Sequence, residues 1–286
     1  MATHMARTLI SYVAIFLATG VVTLEVPALH AAQQAAAATA DSQRSPAYDA
    51  DAERRLLEMA NQERAKAGLP PLQKDEGLTQ AAREHGAAMA ARKKLSHQFS
   101  GEPNLVHRLA ANTKTRLDQA GENVAFARSV DQAQDGLMHS PPHRANLLNS
   151  NYNVAGFSVV RSGSLLYVTQ DFGHSLPSRS DDETEVLVGR SVDRMRAQRR
   201  LPALQRLDGA EAASTACGMA QADSLKTPAP RSRAVVRYTT PQPQTLPAEA
   251  SRAIGNASVH AVAVGACYAR SASYPTGVYW VALLFY

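Results

Sequence analysis

The fold of the first half is decided by a short stretch, residues 140–148, which reads SPPHRANLL. His139 and His143 stand four residues apart, as the two histidines do in the zinc-protease motif His-Glu-x-x-His, but Pro141 and Pro142 lie between them. Proline inside a helix removes a hydrogen bond and clashes with the preceding turn, so these histidines cannot share one regular helix. The stretch therefore excludes a zinc-protease helix.

Four other short motifs precede this stretch in a fixed order. They are Asn-Gln-Glu-Arg (61–64), Leu-Pro-Pro-Leu (69–72), Leu-Ser-His (95–97) and Gly-Glu-Asn-Val (121–124). With residues 140–148, the series resembles the bacterial branch of the CAP superfamily, which includes cysteine-rich secretory proteins, antigen 5, plant pathogenesis-related proteins and SCP-like secreted proteins. The resemblance covers about residues 50 to 173 and implies an α-β-α sandwich.

The resemblance also implies a cleft lined by histidine and glutamate. Its candidate members are His97, Glu122, Asn123, Ser140, His143 and Arg144. By resemblance, His97, Glu122 and His143 correspond to members of the family's cleft group. The second cleft glutamate of eukaryotic members falls on Ser140, and the glycine of the family's Ser-Pro-Gly-His-Arg motif falls on Pro142. The complete group of four is therefore in doubt.

These residues leave three interpretations open. Two imidazoles and a carboxylate could bind a divalent metal such as zinc, with His97 and His143 as ligands and Glu122 as the general base of a metal-assisted, peptidase-like hydrolase. They could equally hold a lipid, an ion or an envelope ligand in a binding protein or effector that requires no cofactor. In the third interpretation, Glu122 and Asn123 tie loops to the backbone and the histidines form hydrogen bonds within the cleft.

Apolar periodicity predicts two helices and a hairpin around these motifs. Leu56 begins a helical stripe that is closed by Gly68, and a second amphipathic helix is predicted from about residue 76 to 93. Residues 154–160 and 165–172 are short β-rich runs separated by a polar turn. Helices first and a hairpin last favour an α+β layered domain.

The second half of the chain, residues 184–286, repeats the opening motifs. Leu-Pro-Ala-Leu at 201–204 matches residues 69–72 at an offset of 132 (201 minus 69), and this offset places Arg196 on Arg64. An internal duplication is the simplest account of this match. Two unrelated domains that share a proline turn are the alternative.

The end of the second half matches the first half, whereas its middle does not. The strand at 279–285 resembles the one ending at Phe172 at an offset of 113 (285 minus 172), so the second copy lacks about 19 residues (132 minus 113). Nothing in 227–256 resembles the cleft motifs, and its prolines predict an extended loop. We therefore predict a smaller, degenerate CAP-like α+β domain without an equivalent cleft.

The beginning of the chain has the features of an export signal. An uncharged apolar run extends from Leu9 to Leu24 after a basic start, which is typical of a signal peptide, and an uncleaved N-terminal membrane anchor is the alternative. The predicted organisation is a signal peptide (1–28), a linker (29–47), a CAP/SCP domain (48–174), a second linker (175–183) and the degenerate domain (184–286). We expect a secreted or periplasmic protein.

Composition limits the partners. Hydrophobic residues at 45% and charged residues at 19% exclude a disordered chain and a multi-span membrane protein. The sequence pI of about 9.3 is basic, but nucleic acid is not the usual partner outside the cytoplasm. We expect a lipid, an anionic envelope polymer or another extracellular protein instead. The arginine-rich segment 190–200 is either a solvated helix face or the contact surface of an envelope scaffold.

The chain has two cysteines, and both lie in the second half. Export would place Cys217 and Cys267 in a compartment where disulfides persist, so we predict that they are bonded to each other. Two buried thiols are the alternative.

Overall fold

The computed structural model describes residues 48–228 and 230–286. The predicted signal peptide and first linker, residues 1–47, lie outside the described residues. Within those ranges, no helix has the length and apolar character needed to cross a membrane.

The first half forms one four-stranded sheet with helices on both faces. Its elements are α1 (Ala50–Lys66), β1 (Gln73–Lys74), α2 (Glu76–Arg92), α3 (Leu105–Asn112), β2 (Leu117–Ala127), α4 (Val130–His139), α5 (Pro141–Leu147), β3 (Val154–Ser162) and β4 (Leu165–Ser175). The strand order is β1-β3-β4-β2, with β1 parallel to β3 and the other neighbours antiparallel.

Alternating side chains of β3 contribute to two separate cores. Phe157 and Val159 point to one face and pack with Leu56 of α1, whereas Val160 points to the other face and packs with Met89 of α2. Burial of each such side chain stabilises the fold by roughly 1.5–3 kcal/mol. The predicted α-β-α sandwich, an α+β fold, is confirmed.

The two predicted helices and the hairpin are present, but one strand is missed. Helix α1 ends just before Gly68, which adopts φ +71°, and the hairpin turns at Gly163 with φ +60°. The sequence does not predict β2, which carries Glu122 and Asn123 in its centre. These polar residues interrupt the apolar alternation that marks a strand, because the groups that neutralise them come from distant parts of the chain.

The second half repeats this topology. It consists of α6 (Asp181–Gln198), β5 (Gln205–Arg206), α7 (Ala210–Gln221), β6 (Ala234–Thr240), α8 (Ala250–Ile254), β7 (Ala261–Ala269) and β8 (Val278–Phe285). The strand order β5-β7-β8-β6, with β5 parallel to β7, matches that of the first sheet. The degenerate CAP-like α+β domain is therefore confirmed in its topology.

Two predictions for the second half are wrong in detail. The segment 227–256, predicted as an extended loop, contains strand β6 and the short helix α8. Strand β6 forms because Val236, Tyr238 and Thr240 alternate into the core despite the surrounding prolines. Helix α6 begins at Asp181, within the linker predicted at 175–183, because Ser180 caps it in a reciprocal capping box.

Two buried arginines show how closely the halves correspond. Arg64 donates hydrogen bonds of 2.9–3.0 Å to the carbonyl oxygens of Pro70, Leu147, Asn149 and Tyr152. Arg196 donates hydrogen bonds of 2.9–3.4 Å to those of Pro202, Ile254, Asn256 and Val259. The acceptor spacing is the same in both halves, so each guanidinium joins its proline turn to the loop before the third strand of its sheet.

A glycine lets a helix approach the sheet closely in each half. A Cβ atom on Gly156 would lie 2.0 Å from the Thr79 nitrogen, and one on Gly265 would lie 2.0 Å from the Ala212 carbonyl carbon. Helix α7 begins four residues after β5 ends, two more than the corresponding interval before α2. Gly265 is likewise two residues further along its strand than Gly156, relative to the strand pairing. A shift of two keeps the glycine on the same face of the sheet.

The predicted disulfide is present between Cys217 of α7 and Cys267 of β7. It joins the helix to the sheet of the second half.

Candidate functional site

The centre of the candidate site is a pair formed by His97 and Glu122. His97 lies in the loop between α2 and α3, and its Nδ1 is 2.9 Å from Oε1 of Glu122 in β2. The His97 side chain is 60% exposed, whereas that of Glu122 is 4% exposed. Because a carboxylate accepts, Nδ1 carries a proton, and Nε2 is the nitrogen with the lone pair whenever the ring is neutral. This arrangement is the one in which a carboxylate orients a histidine for a ligand or metal.

Arg108 of α3 fixes both members of this pair. Its Nη2 donates to Oε2 of Glu122, and its Nη1 donates to the His97 carbonyl at 3.2 Å and to the Pro103 carbonyl at 3.1 Å. The Arg108 side chain is almost fully buried. Both oxygens of Glu122 are therefore engaged, one by His97 and one by Arg108.

A second histidine, which is buried, lies beneath the pair. His85 of α2 has Nδ1 2.6 Å from Oε1 of Glu102 and Nε2 2.8 Å from the Ser96 carbonyl. Burial raises the pKa of Glu102, but hydrogen bonds from His85 and the Phe99 amide, with the charges of His85 and Arg108, outweigh burial and lower it overall. Both ring nitrogens of His85 therefore have a hydrogen-bond partner, so the buried ring is fully satisfied.

Asp171 completes the buried group. It stands directly opposite Glu122 in the β2–β4 ladder and is fully buried. Burial and the charge of Glu122 raise the pKa of Asp171 well above its usual range. A raised pKa favours the protonated, neutral form of Asp171. Glu102 and Glu122 are each hydrogen-bonded, Glu102 to His85 and Glu122 to His97 and Arg108, and this pairing lowers the cost of burying them.

His143 reaches the site from helix α5. Asn123 is fully buried and donates to the His143 carbonyl at 3.0 Å, while Asn146 donates to Oδ1 of Asn123 at 3.0 Å. Burial, followed by the neighbouring charge of His97, lowers the pKa of His143. A lowered pKa favours the neutral ring of His143, and Asn123 links the His143 backbone to the strand that carries Glu122.

The other two predicted cleft residues have smaller roles in this geometry. Ser140 is half-buried between α4 and α5, and its hydroxyl makes no capping bond to α5. Arg144 is exposed, and its side chain forms no hydrogen bond or ion pair with any residue in the described ranges. His139 ends α4 and Pro141 begins α5, as the proline argument requires.

The site does not form a closed metal centre. Among the described residues there is no group of three or more His, Cys, Asp or Glu side chains arranged to hold a metal ion. His97 and His143 supply two imidazoles, while the carboxylate of Glu122 is committed to His97 and Arg108. Two nitrogen donors suit an exchangeable ion whose other ligands are water or a second molecule.

The sequence motifs reveal only the exposed side of this site. Its inner residues, His85, Glu102, Arg108 and Asp171, lie outside the motifs. Arg108 is buried together with its neighbour Leu109 in α3. A charged residue next to an apolar position of the predicted helix was the only sequence signal that could have indicated its role. The partner that satisfies each charge is distant in sequence and could not be read from spacing.

Among the described residues of the second half, apolar side chains stand where the first half has this charged group. Glu122 and Asp171 correspond to Val235 and Leu284 at the offset of 113, and these two residues also face each other across a strand pair. Leu284 packs with Ala212 of α7 in an apolar cluster. Apolar packing therefore takes the place of the Glu122–Asp171 pair in this half.

Comparisons with known proteins agree with this assignment. Residues 57–172 match the model of the cysteine-rich secretory protein family, CAP. The protein YkwD of Bacillus subtilis is 36% identical over 124 residues, which are 42% of this chain and 46% of that protein. The membrane protein YlbC of the same organism is 34% identical over 122 residues, 42% of this chain and 34% of that protein. Both are described as uncharacterized, and the chain spans less than half the length of each.

A solved structure is also similar to part of the chain. An extracellular SCP-domain protein of Bacillus anthracis is 27% identical with a TM-score of 0.40, covering 44% of this chain and 41% of that one. By the family match, residues 57–172 form a CAP domain.

Proposed function

We propose that the protein is an exported CAP-domain binding protein, and that His97 and His143 hold a divalent ion through which a polar ligand is retained without being cleaved. The observation that carries this proposal is the exposed His97 ring oriented by a buried carboxylate that Arg108 fixes in turn. Because the ring does not have to be ordered on binding, its lone pair is preorganised for a ligand. An anionic lipid headgroup or envelope polymer would complete the ion's coordination.

The geometry does not favour the alternative, a metal-assisted hydrolase. A general base must reach the water that it deprotonates. The carboxylate of Glu122 is 4% exposed and accepts from both His97 and Arg108. It is therefore suited to orienting His97 and poorly placed to activate water.

Calorimetric titration with zinc tests this proposal. We predict one site on the wild-type protein, and a loss of affinity of at least about tenfold in His97→Ala and in His143→Ala, because each removes one of two ligands. His260→Ala is the matched control, since His260 is an exposed histidine of the second half. Unchanged affinity in both cleft variants would contradict the proposal. Cleavage of a peptide library that is lost in Glu122→Gln would favour the hydrolase instead.

Export is the second part of the proposal. The Cys217–Cys267 disulfide and the extracellular SCP-domain relative support it, because disulfides persist in oxidising compartments. Fractionation of the native host, followed by mass spectrometry of the protein's N-terminus, should find it outside the cytoplasm and starting beyond residue 24 of the apolar run. An intact N-terminus in a membrane fraction would indicate the anchored form.

A further inference from the structure

The degenerate half touches the two elements that hold the cleft pair. Arg270, in the loop between β7 and β8, donates to the carbonyl oxygens of Ala110 and Thr113, both at 2.6 Å. Arg116, just before β2, donates to the Arg179 carbonyl at 3.1 Å and its guanidinium lies 3.6 Å from the centre of the Tyr268 ring. One contact is at the end of α3 and the other at the start of β2.

The contact at α3 involves groups that a helix leaves without partners. The last carbonyl groups of a helix have no intrahelical donor, and a cation at that end is also favoured by the helix dipole. Helix α3 has eight residues, and isolated helices of this length are marginal in water. Arg270 therefore stabilises the end of an element that depends on tertiary contacts.

Helix α3 in turn carries the residue on which the cleft pair depends. Arg108 precedes Ala110 by two residues, and it binds both the His97 carbonyl and the Glu122 carboxylate. Strand β2, which Arg116 ties down at its start, carries Glu122 five residues further along. A displacement of α3 would move Arg108 away from both members of the pair.

The Arg270 loop is itself held firmly. It has eight residues, 270–277, where the first half has only the two-residue turn between β3 and β4. Ser271 donates to Asp223 at 2.7 Å, and Cys267, which is disulfide-bonded, lies three residues before Arg270. The extra length is therefore ordered and directed at the first half.

We infer that the second half, which lacks a cleft of its own, acts as a positioning support for the first, with Arg270 as the positioning residue that holds α3 and thereby the His97–Glu122 pair. This inference rests on the proposed function only for its effect on ligand affinity. Its structural part concerns the orientation of the His97 ring, which can be measured without any ligand.

The test compares Arg270→Ala and Arg270→Lys with Arg194→Ala in the full chain. Arg194 is an exposed arginine of α6 and serves as the matched control. Long-range ¹H–¹⁵N NMR reports which ring nitrogen of His97 carries the proton, and amide hydrogen exchange reports the opening of α3. Neither readout requires zinc to bind.

We expect the wild type and Arg194→Ala to show the proton on Nδ1 and slow exchange in α3. In Arg270→Ala, exchange in α3 should rise at least about tenfold and the His97 tautomers should mix, while the second half remains protected. Arg270→Lys should recover part of the effect, because lysine supplies a cation but not two parallel donors. Zinc affinity should fall several-fold in the same order.

Wild-type α3 protection and an unchanged His97 tautomer in a folded Arg270→Ala protein would overturn the inference. If Arg270→Ala does not fold, Arg270→Lys decides the question by the same two readouts. If the wild type does not bind zinc but the tautomer and exchange respond as expected, the proposed function fails and the positioning inference stands.

Discussion

At the scale of single residues, the candidate site joins an exposed ring to a buried cluster of ionisable side chains. His97 faces solvent, while Glu122 is held by Arg108 in the core. Burying the Glu122 carboxylate costs folding free energy unless a cation pairs with it, and Arg108 is that cation. The buried contacts of Glu122 and Arg108 therefore hold the His97 ring in one orientation.

The sequence reveals the residues of this site unequally. His97, Glu122 and His143 were found because each belongs to an ordered family motif. Arg108 and Asp171 were not, because their importance arises from contacts with Glu122 that only the folded chain creates.

Asp171→Asn tests the assigned protonation state. Because its pKa is raised in the folded protein, the folded state binds more protons than the unfolded state above the ordinary aspartate pKa of about 3.9. Wild-type stability should therefore fall as pH rises from about 4 towards the raised pKa, by up to about 1.4 kcal/mol per pH unit. Asparagine cannot ionise, so the variant should lose this contribution.

Urea unfolding between pH 4 and 7 measures the difference. The free energy of unfolding of Asp171→Asn, minus that of the wild type, should increase as pH rises. Asp131→Asn is the control, since its side chain is 61% exposed. A constant difference between wild type and Asp171→Asn across this range would contradict the assignment.

At the scale of elements, each half depends on one close helix–sheet contact. The helices and the hairpin could be predicted because their apolar periodicity is local. Strands β2 and β6 could not, because polar residues interrupt the first and prolines flank the second. The two-residue shift between Gly156 and Gly265 likewise became visible only once the strands were paired.

Gly265→Ala tests this contact. A Cβ atom would lie 2.0 Å from the Ala212 carbonyl carbon, so helix and sheet must separate. We expect the free energy of unfolding to fall by about 1–3 kcal/mol or more, measured by denaturant titration. Gly218→Ala in the same helix α7 has open space around the new methyl group and should stabilise by about 0.4–1 kcal/mol. Equal effects of the two substitutions would contradict the close packing.

At the scale of the whole molecule, the two halves share one topology but differ at the position of the cleft. The arginine contacts are the same in both halves, whereas Val235 and Leu284 stand where the first half has Glu122 and Asp171. The sequence predicted the repeat from its two ends. It could not predict the contacts of Arg116 and Arg270, since these join regions more than 150 residues apart.

The disulfide should matter most for the shortened half. It closes a loop of 51 residues (267 minus 217, plus one), which the chain-entropy relation values at about 4 kcal/mol. Replacing both Cys217 and Cys267 by Ser should lower the thermal midpoint, measured by calorimetry with and without reductant. Reductant should lower the midpoint of the wild type alone. An unchanged midpoint in the double variant would show that the bond contributes nothing.

The most direct test of the cleft assignment is anomalous diffraction at the zinc edge from crystals soaked with zinc. We predict a peak about 2.0–2.1 Å from one ring nitrogen each of His97 and His143, with Glu122 still bound to the other nitrogen of His97. A peak elsewhere, such as between His139 and Asp135, whose side chains lie 3.2 Å apart, would contradict the account. So would a cleft without a peak in crystals grown from protein that binds zinc in solution.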